Sequence, residues 1–118
     1  VFSDILEHLN NHKGVLRYFV ETFLKENGVV IISLPNVAHY SIRLPLLLGR
    51  FEYTDSGILD KTHLHLYTVD TAKNFIESSG LKIEIIRFSS NLFGSLVGKF
   101  RCLGRLVGFN LIFKCKRF

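Results

Sequence analysis

Val29-Val30-Ile31-Ile32-Ser33-Leu34 is a continuous, largely β-branched apolar run, and it ends at Pro35-Asn36. A short run of this kind is the pattern of a central parallel strand covered on both faces. Pro35 has no amide hydrogen for a ladder, so the strand stops abruptly and polar side chains appear at its tip. In open α/β sheets the crevice beyond the carboxyl ends of the strands is where ligands bind. The run therefore predicts both an α/β fold and the end of the sheet at which to look for a site.

The neighbouring segments supply the rest of such a sheet. Val1-Phe2 reads as the end of a strand. Val15, Leu16, Phe19, Val20, Phe23 and Leu24 recur at helical spacing, and Asn27-Gly28 ends that helix. Residues 36–48 predict a short helix interrupted at Pro45, followed by a Gly- and Asp-containing loop over 49–61. Thr68 is an N-cap, with Asp70 in the first turn, for a helix carrying Ala72, Phe75 and Ile76 and stopped by Gly80. Leu81, Ile83 and Ile85 alternate with Lys82 and Glu84, and Phe109, Leu111, Phe113 and Cys115 alternate with Asn110, Ile112, Lys114 and Lys116, which predicts two more strands. Between them, 91–107 reads as a glycine-containing amphipathic helix with Arg101 and Arg105 opposite its apolar face. Such a helix packs on its own sheet or touches a membrane or a lipid-linked substrate.

Composition narrows the class. At 118 residues, 47% hydrophobic and 21% charged, the chain is one domain's worth of ordered protein. No apolar run reaches the ~20 residues that cross a bilayer. The chain has no initiator Met and no signal-peptide pattern, so it reads as a fragment of something longer. Cys102 and Cys115 lack metal-ligand spacing, and a reduced, cytoplasmic setting is the simpler reading. The net charge of +5 is concentrated in the last twenty residues, which is the pattern of a solvated C-terminal face rather than of a nucleic-acid site.

Asp4, Glu7 and His8 follow the first strand end directly. If Asp4 opens a helical turn, Glu7 and His8 project at i+3 and i+4 and converge with it. Two carboxylates and an imidazole suit a divalent ion or general-base work on a hydroxyl. The same residues also fit a capped turn in which Asp4 caps and Glu7 and His8 bond to nearby backbone. Neither cysteine has an evident base partner, and Ser33 lies inside a strand, so nothing points to nucleophilic catalysis.

Taken together, Asp4-Ile5-Leu6-Glu7-His8, Ser33-Leu34-Pro35-Asn36-Val37-Ala38-His39-Tyr40 and Gly57-Ile58-Leu59-Asp60-Lys61-Thr62-His63-Leu64 resemble the C-terminal half of a class I S-adenosylmethionine-dependent methyltransferase. The resemblance runs from Val1 to about Phe88 and more loosely to Phe118. The family's glycine-rich cofactor loop is missing, since no G-x-G follows a strand. The resemblance implies a Rossmann-like half-sheet with strands in the order 4-5-7-6, strand 7 antiparallel. On that mapping Val1-Phe2 ends strand 4, and 29–34, 81–88 and 109–116 are strands 5, 6 and 7 of a partial domain spanning 1–118.

It also implies roles. Ser3 and Asp4 approach the methionine end of S-adenosyl-L-methionine. Asn36, His39, Tyr40 and Arg43 line the acceptor pocket, and Asp60 and His63 sit on the loop closing it. The metal-dependent branch of the superfamily carries two acids and a His after strand 4 and a later His. The corresponding residues are Asp4, Glu7, His8 and His63, with Asp4 where Glu is usual, and they would hold Mg or Mn. His8, His63 and Glu7 are accordingly the catalytic candidates.

The resulting expectation is methyl transfer to a hydroxyl of a small molecule, glycan or lipid-linked acceptor. The fragment would be part of a longer enzyme whose N-terminal half supplies the adenosine contacts, and its cut edge would favour self-association. Two alternatives are a non-catalytic remnant binding a partner or membrane, and an RNA 2′-O-methyltransferase. The second lacks an aromatic-interleaved basic patch near the motifs.

Overall fold

A computed structural model describes residues 1–90 and 101–118. Its centre is a four-stranded sheet of β1 (Phe2–Ser3), β2 (Val29–Pro35), β3 (Leu81–Ser89) and β4 (Asn110–Arg117), in the spatial order β1-β2-β4-β3. β1 and β2 are parallel, and β4 runs antiparallel to both of its neighbours. The helices are α1 (His12–Phe23), α2 (Tyr40–Leu47), α3 (Val69–Glu77) and α4 (Arg101–Val107), with a 3-10 turn at Leu6–His8. Pro35 belongs to β2, opposite Asn110. Its missing donor costs no ladder bond on the other side, because the two-residue β1 ends level with Ser33.

The core lies on one face of the sheet. Val30, Ile32 and Leu34 are buried and stand opposite Cys115, Phe113 and Leu111, also buried. Leu6, Leu16, Val20, Ala72 and Ile76 pack onto them from the turn, α1 and α3. Val29, Ile31 and Ser33 stay partly or fully exposed. The apolar run thus predicts cover on both faces, whereas the described residues cover one. On the open face Lys114 and Lys116 reach Glu84 at 3.6 and 2.9 Å. Burial pushes the Cys115 thiol up to about 12, with Glu84 and Glu77 adding to it, so this cysteine is an inert core residue.

Two local devices alter the expected pattern. β3 carries a bulge between Ile83 and Ile85, leaving Glu84 as the extra residue. Past it the alternation flips: Ile86 and Phe88 pack on the core and Ile85 is exposed. Pro45 sits inside α2 without interrupting it. The helix starts only at Tyr40, after the turn at Asn36, and stops just past Pro45 at Gly49, whose φ of 74° suits glycine.

α3 follows its sequence signals closely. Thr68 Oγ1 accepts from the Thr71 amide and Thr71 Oγ1 accepts from the Thr68 amide, a reciprocal box. Arg105 of α4 grips Asp70 with two bonds of 2.9 and 3.1 Å. Gly104 lets the Phe88 ring lie against α4 where any Cβ would collide. The remainder of the amphipathic segment read at 91–107 lies outside the described residues. Among those described, no helix is long and apolar enough to cross a membrane.

Candidate functional site

The carboxyl ends of the parallel strands β1 and β2 carry a cluster built from two distant segments. The 3-10 turn places Glu7 and His8 directly after β1. The loop leading to α3 docks on that turn, because the Glu7 carbonyl accepts from the Leu64 and His65 amides at 2.7 and 3.2 Å. His63 is thereby held beside Glu7. The loop is braced internally as well: Asp60 Oδ1 accepts from the Thr62 amide and hydroxyl at 2.8 and 2.6 Å. Those two bonds pull the Asp60 carboxyl below its usual value.

Both imidazoles are fixed by main-chain carbonyls. His8 Nδ1 donates to Thr62 O at 3.1 Å, and His63 Nδ1 donates to Ile58 O at 2.8 Å. A carbonyl can only accept, so each Nδ1 carries the proton and each neutral ring keeps its lone pair on Nε2. Both Nε2 atoms lie 3.9 Å from Glu7 Oε1. That separation is too long for a hydrogen bond.

Glu7 itself is fully buried, and neither carboxylate oxygen has a hydrogen-bond partner among the described residues. Burial raises its pKa above the ordinary 4.5 and the Asp4 charge adds to the rise, while its own amide and the two imidazoles pull it back. A buried carboxylate of this kind needs a proton, a cation or a ligand. The ligating atoms of Glu7, His8 and His63 all lie within 4.8 Å of one another. Two nitrogens and one carboxylate oxygen, the rings oriented by the Thr62 and Ile58 carbonyls, fit a divalent cation.

The other sequence candidates are placed differently. Asp4 has a left-handed φ of 50° and turns its side chain toward Ser33 Oγ and Asn110 Nδ2, at 3.0 and 3.4 Å, rather than into the three-residue cluster. Ser3 pairs with Ser33 at the end of β1. Asn36 is fully buried, donates to Arg105 O and Gly108 O at 3.0 and 2.8 Å and accepts from the Ala38 amide. Its hydrogen-bonding groups tie β2 to the loop before β4. His39 caps α2 by accepting from the Ser41 amide, and its ring lies 4.4 Å from Tyr40 and 5.7 Å from Phe109. Burial lowers its pKa. Arg43 Nε donates to Ala38 O.

Beside these residues a cleft of about 580 Å³ opens between α2 and the following loop, lined by Ser41, Ile42, Pro45, Phe51, Ile58 and Phe109 among others. Ile58 links it to the cluster, since its carbonyl holds His63.

Three residues of interest escaped the sequence reading. Tyr67 is buried, its hydroxyl has no partner among the described residues, and burial followed by the Glu7 charge pushes its pKa up. His12 has a buried Nδ1 with no partner among the described residues and stacks on His65 with ring centroids 3.7 Å apart. The alternation His63-x-His65-x-Tyr67 was the available signal.

No protein-family model matches the chain, and no curated protein matches it in sequence. Among solved structures, a SAM-dependent methyltransferase from Archaeoglobus fulgidus is similar over 98% of this chain, at 17% identity and a TM-score of 0.56. This is a methyltransferase-like fold. The chain spans 57% of that protein's length. The cluster of Glu7, His8 and His63 thus lies at the sheet end where α/β folds bind ligands.

Proposed function

We propose that the chain is the C-terminal half of a class I methyltransferase sheet, acting in methyl transfer from S-adenosyl-L-methionine to a hydroxyl of a small-molecule, glycan or lipid-linked acceptor. The observation that carries this reading is the buried Glu7 carboxylate, without a partner among the described residues, facing two imidazoles at the strand ends. The strand order supports it: β1, β2, β4 and β3 take the places of strands 4, 5, 7 and 6, with β4 as the reversed strand 7.

The sulfonium is already activated, so the protein must align the acceptor and remove its proton. Glu7, His8 and His63 would hold a divalent cation such as Mg or Mn, whose charge would lower the pKa of an acceptor hydroxyl. Where no cation occupies the site, Glu7 and the Nε2 lone pairs of His8 and His63 are instead the bases within reach of a hydroxyl placed there. The cleft bounded by Ile42, Phe51 and Ile58 is the acceptor's seat, and Asp60 sets the loop that brings His63 to it. Ser3 and Asp4, at the tip of β1, take the methionine end of the cofactor.

The adenosine contacts belong to strands outside these 118 residues. We place those strands against β1, which forms the sheet edge among the described residues. Tyr18, Phe19 and Phe23 are exposed there, and Phe19 meets Phe2 of β1 edge-on at 5.5 Å. An open apolar strand edge of this kind recruits another chain or more of its own.

Labelled methyl transfer by the protein in which this chain occurs tests the reading. Transfer should fall at least ~100-fold in Glu7→Gln with the fold intact, the scale of a lost general base. Unchanged transfer in that variant would exclude the assigned site.

A further inference from the structure

α2 buries none of its eight residues. Leu44, Leu46, Leu47 and Leu48 are all exposed, Leu47 by 81% and Leu48 by 75%, and Phe51 and Tyr53 continue the apolar surface into the loop. A helix normally turns its leucines inward, and contiguous exposure on this scale marks a contact surface. The segment is held from its ends: His39 caps the start, and Gly49 donates to Leu46 O and Arg50 to Pro45 O at the close. Tyr40 and Ile42 are half-buried, and the leucines stay exposed.

The charges around it indicate the occupant. From Tyr40 to Tyr53 the charged residues are Arg43, Arg50 and Glu52, and the two arginines flank the leucines while the acid lies beyond them. Both arginines are exposed, one on each side of the leucines. A leucine-rich surface bracketed by cations suits the headgroup boundary of an anionic bilayer, where apolar side chains enter the acyl region and arginines meet phosphates. Another basic surface is less free, since Arg105 of α4 is engaged with Asp70.

We propose that α2 and the loop to Tyr53 form a peripheral docking element for anionic lipid surfaces. Leu46, Leu47 and Leu48 enter the boundary, while Arg43 and Arg50 contact headgroups. The 580 Å³ cleft, lined by Ile42, Pro45 and Arg50 among others, shares these residues with the docking element and so lies beside that boundary. An acceptor with an apolar chain would reach it without leaving the membrane. That consequence rests on the methyl-transfer reading, whereas the lipid contact does not.

Cosedimentation with vesicles of phosphatidylcholine, with and without phosphatidylglycerol, tests the proposal on the 118-residue chain. Binding should require phosphatidylglycerol, weaken with salt and drop about tenfold or more in L47E/L48E. These positions are exposed, so circular dichroism of the variant should match the parent. R50E should weaken binding to anionic vesicles while leaving the fold unchanged. A folded parent that stays in solution with anionic vesicles overturns the proposal. So does a pair of substitutions that leaves vesicle binding intact but converts a dimer to a monomer, because the leucines would then cover a second copy of the chain.

Discussion

Glu7 Oε1 and His63 Nε2 face each other across 3.9 Å, the first buried in a turn after β1 and the second brought in by a loop from beyond α2. The gap is wider than a hydrogen bond, and nothing among the described residues satisfies the carboxylate. His8 meets the same oxygen at the same distance. A carboxylate so placed is costly to fold around unless it is protonated or binds a ligand.

His12 provides a pH test outside this cluster. Burial lowers its pKa from 6.5, and electrostatic repulsion from His65 and Lys13 acts in the same direction, while the Asn10 backbone opposes them. The unfolded chain therefore takes up a proton at His12 before the folded one does. Its contribution to stability is complete above about 6.5 and is lost as pH falls toward the lower folded value. His12→Phe should fill the stack with His65 and Phe75 and flatten that acid loss. Urea midpoints of both proteins across this range check it, and parallel curves would show that His12 is not the group responsible.

Asn36 should act as a structural tie. Asn36→Ala leaves the Arg105 and Gly108 carbonyls without their partner, and each such orphan costs ~1–3 kcal/mol. The expected loss is about 2 kcal/mol or more, read from the shift in urea midpoint. A normal midpoint combined with lost acceptor binding would instead make Asn36 a binding residue.

Much of this was legible in the sequence, for identifiable reasons. The apolar run at 29–34, the Thr68 cap and the Gly80 stop are local signals, and the chain follows them in forming a strand, a cap and a stop. The described residues nonetheless cover one face of that strand and not two. The flip after Glu84 was not legible, because a bulge depends on the partner strand as well as on the sequence that carries it. The roles of Asn36 and His39 also needed the fold: their motif marks the end of β2, but the carbonyls that occupy Asn36 come from residues far along the chain. Glu7 and His8 were visible as a local pair. Their meeting with His63, without Asp4, depends on how one loop docks on a single main-chain carbonyl.

Calorimetry with S-adenosylhomocysteine addresses the proposed division of the sheet. On that proposal the 118-residue chain offers only the β1 and β2 tips to the cofactor, so binding should be weak or undetectable. Low-micromolar affinity would mean that these residues make the adenosine contacts themselves.

Titration of the 118-residue chain with Mn²⁺, following free ion by electron paramagnetic resonance, tests the central site most directly. One saturable site is expected, with Mg²⁺ competing for it. Glu7→Gln and His63→Ala should each weaken binding at least ~10-fold, whereas His65→Ala, whose ring bonds to Leu9 O, should leave it unchanged. A folded chain that binds no Mn²⁺, or that binds it equally well without the Glu7 carboxylate, would contradict the account.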